Sequence, residues 1–163
     1  MTDLEEYTAL YSDELSRFCY KLCGNLYDAE DLFQDTWTRA MSRIEQYDSS
    51  KSFKNWLFAI CANIYKNSRR LKYNSARKNF GDSEENERFI RSIPETGRDI
   101  DEYLDLQRAI SELPKKHKLV ITLYYFREFS QKEIAQILDI PEGTVSSRLS
   151  TAKNLLRRRL NNG

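Results

Sequence analysis

This chain predicts an all-α fold: two small helical domains joined by a flexible acidic linker, the second domain carrying a helix-turn-helix. Three observations carry that expectation. Apolar residues recur at steps of three and four along most of the 163 residues, whereas alternating strand patterns are scarce. Only five glycines and three prolines punctuate the chain. Charge is segregated into blocks: residues 1–50 carry net −7, 51–80 net +8, 81–112 net −6 and 113–163 net +6, although the whole chain is only +1. Two cationic surfaces separated by anionic segments suit a protein that grips a polyanion at two places. The expected boundaries are 1–76 for the first domain, 77–103 for the linker and 104–163 for the second domain.

Leu4, Tyr7, Tyr11, Leu15, Phe18 and Leu22 mark one face of a first helix that ends near Gly24-Asn25. Asp28 with Asp31 opens a second helix. Its inner face is Ala29, Leu32, Phe33, Thr36, Trp37, Ala40 and Ile44; Glu30, Asp31, Gln34, Asp35, Thr38 and Arg39 form an outer face that is either simply solvated or a docking surface. The polar stretch from Gln46 to Ser52 reads as a loop. A third helix is expected from about Phe53 to Tyr73, with Phe53, Trp56, Leu57, Ile60 and Ile64 inside. Asn55, Ala59, Ala62, Asn63, Lys66, Arg69, Arg70 and Tyr73 lie outside, and Lys51 and Lys54 flank its start. Trp56 is open to two readings, a core residue or a stacking platform. A surface of cations, amides and rings suits single-stranded DNA, since each base stacked on an aromatic contributes roughly 1–3 kcal/mol. Opening a duplex costs about 1.4 kcal/mol per stacking step, so a few trapped bases offset a few opened pairs.

From about Arg77 to Asp101 the periodicity fades around Gly81, Pro94 and Gly97. This acidic linker is expected to be disordered and to reach at most roughly 85 Å. Leu104, Ile110 and Leu113 belong to a helix that stops at Pro114. Leu119, Val120, Leu123, Tyr124 and Phe126 make another, with His117 expected at the surface beside the turn.

The most informative stretch runs from Ser130 to Leu160. Ser130 followed by Glu133 forms a capping box, so a helix starts there, with Ile134, Ala135 and Leu138 inward. Asp139-Ile140-Pro141 breaks the chain and starts a second helix. On that helix Val145, Leu149, Ala152, Leu156 and Leu160 form one buried stripe. The opposite face holds Gly143, Ser146, Ser147, Ser150 and Thr151 among Arg148, Lys153 and Arg157 to Arg159. Small polar residues let a helix sink toward base edges while cations meet phosphates, as a recognition helix in the major groove requires.

Other chemistries find no support. Cys19, Cys23 and Cys61 fall in expected helices and, with His117 as the one histidine, assemble no zinc spacing. They read as core thiols of a reducing cytosol, with a redox or adventitious metal role as the alternative. The isolated glycines make no phosphate loop, and no nucleophile motif surrounds His117. No cofactor and no enzymatic activity are expected. The longest apolar run, Leu57 to Ala62, is too short to span a bilayer, so neither membrane insertion nor a location outside the cytoplasm is expected.

The wording of the last segment, Glu-Ile-Ala-x-Ile-Leu followed by Pro-Glu-Gly-Thr-Val-x-Ser-Arg-Leu, resembles the promoter-reading helix-turn-helix of bacterial sigma factors of the extracytoplasmic-function group. The resemblance implies contacts to the minus-thirty-five element from Glu142, Thr144, Ser146, Ser147, Arg148 and Thr151. Asp-Ala-Glu-Asp-Leu-Phe-Gln-Asp-Thr-Trp is similar to the segment that docks on the clamp helices of core RNA polymerase, which implies that role for Asp31, Gln34, Asp35 and Thr38. Ser-Phe-x-x-Trp-Leu-x-x-Ile-x-x-Asn-x-x-x-Asn-x-x-Arg resembles the segment that recognises and melts the minus-ten element. By that likeness the loop from Asp48 through Lys51 to Ser52 holds a flipped base, and Asn55, Asn63, Lys66, Asn67 and Arg70 face the DNA. Which of them reads a base and which holds a phosphate stays open. In such proteins the linker threads through the polymerase; here it is that or an inert tether. Lys118 stands where the family usually has arginine, keeping the charge but losing the bidentate fork for a phosphate. Core RNA polymerase, promoter DNA and an anti-sigma protein are the partners implied. The rival readings are a free-standing helix-turn-helix regulator with an N-terminal helical sensor domain, or a nuclease, for which no metal or phosphate site is present in the sequence.

Overall fold

A computed structural model describes residues 3–68 and 100–162. Most of the expected linker lies outside the described residues, as do Arg69, Arg70 and Tyr73 of the third helix. Among the described residues the chain is helical and contains no strand. The helices are α1 (Asp3–Cys23), α2 (Leu26–Ser42), α3 (Phe53–Asn67), α4 (Ile100–Ser111), α5 (Lys115–Ile121), α6 (Gln131–Leu138) and α7 (Glu142–Asn162). Helix α2 ends at Ser42, so Ile44, expected on its inner face, falls instead in a 3-10 turn, Ile44–Gln46, and a π-helical turn, Thr122–Phe126, continues α5. Helix α4 begins at Ile100, inside the segment read as linker.

Gly24, at φ 82°, closes α1 and leaves Asn25 extended. The Asn25 side chain therefore reaches the free N–H of Asp28 at 2.9 Å and caps α2. The cap is thus Asn25, three residues before the Asp28 expected to open the helix. Leu15, Phe18 and Leu22 of α1 pack with Leu32, Trp37 and Ala40 of α2 and with Phe53, Leu57 and Ile60 of α3.

Helix α3 is buried on a second side as well. Phe58, Cys61, Ala62 and Tyr65 are all buried, although Ala62 was expected outside. The Phe58 ring lies 4.9 Å from Phe18 and 5.4 Å from Phe129. The second helical unit packs here, so the buried residues of both units belong to one continuous cluster. Lysines of α5 bind the carboxyl ends of helices in the first unit. Lys115 Nζ donates to the carbonyls of Tyr65 and Ser68, at 3.1 and 2.5 Å, and Lys118 Nζ donates to that of Leu22 at 3.3 Å. The last carbonyls of a helix lack partners within it and carry partial negative charge, so a cation there meets both needs. Lys118 is 5% exposed, and the phosphate contact weighed for it from the family pattern is not where its ammonium points. Burial pulls its pKa down to about 8. Cys23 beside it stays a neutral thiol, because burial and then the Asp28 carboxylate push its pKa up.

The capping box forms as expected: Ser130 Oγ accepts from the Glu133 N–H, and Glu133 Oε1 accepts from the Ser130 N–H, both at 3.1 Å. Asp139, at φ 55°, ends α6 in the left-handed region, and α7 follows. Val145, Leu149 and Ala152 are buried, but Leu156 is half-buried and Leu160 is 46% exposed. The expected stripe thus runs out because α7 is longer than the layer beneath it. Its end is held instead by an ion pair between Arg159 and Glu112. The three cysteines are buried and free, with Cys19 Sγ 3.8 Å from Cys61 Sγ. No described helix is long and apolar enough to cross a membrane.

Two stability measurements test this packing. Glu128 is exposed at φ 60°, where a Cβ is strained. Glu128→Gly is expected to stabilise the chain by about 1 kcal/mol and raise its thermal midpoint by roughly 2–4 °C. Lys118 is neutral above about pH 8 in the folded chain and above its ordinary 10.5 when unfolded. The unfolded chain therefore binds more protons between those values, and this group makes stability rise with pH through that window. Lys118→Met should lose that component in denaturant titrations at pH 8, 9 and 10, with the Leu22 carbonyl still satisfied by the Tyr65 hydroxyl at 3.2 Å.

Candidate nucleic-acid interface

The loop ahead of α3 is a built structure. Asp48 Oδ1 accepts from the Ser50 hydroxyl at 2.7 Å and from its backbone N–H at 3.0 Å, which holds the Asp48 carboxyl below the usual carboxylate range. The Tyr47 hydroxyl donates to the Lys51 carbonyl. Ser52 Oγ then caps α3 by accepting from the Asn55 N–H at 3.2 Å. Beneath the loop lies a bed of rings: Phe53 stacks on Tyr7 at 3.8 Å, and Trp56 meets Tyr47 at 5.1 Å and Phe53 at 5.4 Å. Trp56 is half-buried, so it serves the core through one face and remains accessible through the other.

Two adjoining clefts follow from this arrangement. One, of about 640 Å³, is lined by Gln46, Tyr47, Asp48, Lys51, Ser52, Asn55, Trp56 and Ala59, with Gln136 and Ile137 of α6 opposite. The next, of about 490 Å³, continues past Trp56 and Ala59 to Asn63 and Lys66. Arg39 of α2, Arg43 just past its end, and the turn at Asp139 and Ile140 complete it. Asp48, Lys51, Ser52 and Asn55 are thus brought together in one cleft, and Asn63 and Lys66 in its neighbour. Asn67 is exposed, bonded to Asn63 at 3.5 Å, and lines neither cleft; Arg70 lies outside the described residues. Arg39, placed on the outer face of α2 from the sequence, turns toward α3 instead. The i, i+4 spacing of Arg39 and Arg43 was the available signal for that basic pair. Asn55 is already engaged, since its Nδ2 donates to Glu133 Oε2 at 3.3 Å.

On α7, Glu142, Gly143, Ser146, Ser147, Ser150 and Thr151 are exposed, while Thr144 and Arg148 are half-buried. A Cβ added at Gly143 would meet nothing within 4 Å, so packing does not require glycine there. Gly143, Thr144, Ser147, Arg148 and Thr151 line a groove of about 460 Å³ together with Lys116 and His117 of α5. Glu142 and Ser146 lie outside that groove. His117 is only 9% exposed, against the surface position expected for it, because α7 packs across α5.

The third surface is on α2. Gln34, Asp35 and Thr38 are exposed and Asp31 is half-buried. Asp31 and Gln34 border a hollow of about 610 Å³ that also includes Leu26, Tyr27, Glu30 and Phe33. Tyr27, 60% exposed, adds a ring to a face that the sequence presented as purely polar. Among the described residues no group of three or more His, Cys, Asp or Glu side chains could hold a metal ion.

Comparison with known proteins gives consistent matches in both halves. Residues 9–75 match Sigma-70 region 2, and residues 103–156 match Sigma-70, region 4. The chain is 31% identical over 161 residues to the ECF RNA polymerase sigma factor SigW of Bacillus subtilis, covering 93% of this chain and 85% of that protein. Identity is 28% to SigM of the same organism, over 98% of this chain and 96% of SigM. It is 32% to SigL of Mycobacterium tuberculosis, over 91% of this chain and 85% of SigL. Among solved structures, the sigma factor RpoE in complex with the anti-sigma factor NepR from Bartonella quintana shares the fold with a TM-score of 0.75 at 23% identity, covering 99% of this chain and 98% of RpoE. CnrH in complex with the cytosolic domain of CnrY gives 0.67 at 20% identity, over 98% and 88%.

Proposed function

Because the chain belongs to the extracytoplasmic-function group of RNA polymerase sigma factors, we propose that it binds core polymerase through α2, melts and reads the minus-ten element along α3, and reads the minus-thirty-five element with α7. It contributes recognition and binding energy, and no catalytic step is assigned to it. The observation that carries the minus-ten assignment is the pair of adjoining clefts, where Lys51, Lys66, Arg39 and Arg43 surround the ring of Trp56 and the amides of Asn55 and Asn63. Cations follow a single strand's backbone, an accessible ring stacks a base, and amides read base edges. The polymerase-docking assignment rests on the exposed Gln34, Asp35 and Thr38 with half-buried Asp31, beside the apolar hollow at Tyr27. An anti-sigma protein is the expected regulatory partner, by analogy with the NepR complex of RpoE.

Helix α6 walls both clefts, and its Glu133 holds Asn55. For a DNA strand to fill them, α6 has to move aside. Binding of the polymerase and of two promoter elements supplies the free energy for that separation, and the tether keeps the second reader at high local concentration.

Division of labour is directly testable. Gln34→Ala with Asp35→Ala should abolish co-elution with core polymerase. Ser147→Ala with Arg148→Ala should leave holoenzyme formation intact and remove its dependence on the minus-thirty-five element. Equal loss of holoenzyme in both variants would overturn the assignment. Trp56→Ala should lower promoter opening on the order of tenfold, in line with about 1–3 kcal/mol for one stacked base. The readout is permanganate reactivity of thymines near the start site, with holoenzyme assembly unchanged.

A further inference from the structure

Among the groups that the proposed reading leaves unused, His117 stands out for its geometry. It is nine-tenths buried, between α5 and α7, and lines the groove formed with Lys116, Gly143, Ser147 and Arg148. Its Nδ1 is fully buried and has no hydrogen-bond partner. The groove is lined by His117, and Nδ1 is the ring nitrogen enclosed by protein, which leaves Nε2 as the nitrogen to meet a ligand there. A stranded buried N–H is rarer than a stranded acceptor, which assigns the proton to Nε2 rather than Nδ1. Burial, followed by the nearby Lys116 and Arg148 cations, keeps the ring from taking a second proton. The result is one fixed N–H donor facing a groove with a cation on each helix that builds it.

We propose that His117 is a DNA-contacting residue that donates its Nε2–H to a single backbone phosphate of the upstream duplex, seated between Lys116 and Arg148. The inference rests on the reading of α7 as the duplex-reading helix and adds a residue outside it. Two cations with hydroxyls from Thr144, Ser147 and Thr151 suit a phosphodiester, an acceptor-only anion. Nothing at Gly143 blocks close approach, since even an added Cβ there would meet no atom within 4 Å. A ring held by packing loses little freedom on binding, so its hydrogen bond fixes the register of the helix on the duplex.

The test uses holoenzyme assembled from the full chain and core polymerase, on promoter duplexes carrying one neutral methylphosphonate at each upstream position in turn. Wild type should lose affinity on the order of tenfold at one particular phosphate, the size expected for a hydrogen bond to a charged group. His117→Phe, which keeps a packed ring, should lose a similar factor on unmodified DNA and become insensitive to that one substitution. His117→Gln, which retains an N–H donor, should recover part of the loss. If His117→Phe binds like wild type, or loses affinity while keeping the full wild-type phosphate profile, the assignment is overturned and α7 remains the reader. If wild-type holoenzyme shows no dependence on the upstream duplex at all, the reading of α7 fails and the His117 proposal falls with it.

Discussion

Two lysines on one short helix span the seam between the two halves of this molecule. Lys115 and Lys118 of α5 reach back to carbonyls at the carboxyl ends of α3 and α1. Each places positive charge at the negative end of a helix dipole. Around them Phe129 enters beside Phe58, with the ammonium of Lys54 5.2 Å from its ring centroid, and Lys21 lies 4.3 Å from the ring of Phe126. Cations placed against ring faces are attracted by the ring quadrupole. The apolar residues of both units can then close into a single core.

That docking decides what α3 can offer to a ligand. A helix packed on one side leaves half of its surface free, whereas α3 is packed on two. Asn55, Ala59, Asn63 and Lys66, at steps of four, four and three, remain as a narrow strip along the clefts. Trp56 stands at the edge of the strip, shared between the ring bed and both clefts. The strip thus borrows rigidity from the core while α6 faces it from across the clefts.

Much of this was legible from the order of the residues. The α1 face, the capping box at Ser130, the break at Asp139 and the buried positions of Val145, Leu149 and Ala152 follow from periodicity and local hydrogen bonding, which act within a few residues. The Asn25 cap was missed because it depends on the backbone angles that Gly24 sets. Arg39 and Arg43 were missed as cleft residues because only the crossing of α2 over α3 turns them inward.

By itself the sequence determined the helical class and the placement of the helix-turn-helix, since these rest on spacing and side-chain type. The tertiary structure alone decided that Ala62, Lys118 and His117 are buried, that Leu160 is not, and that α6 walls the clefts along α3. The physical reason is that burial depends on what lies opposite a residue. For α3 and for Lys118 the facing elements come from the other half of the chain, and for His117 from α7, in each case more than twenty residues away, which periodicity within a helix cannot report.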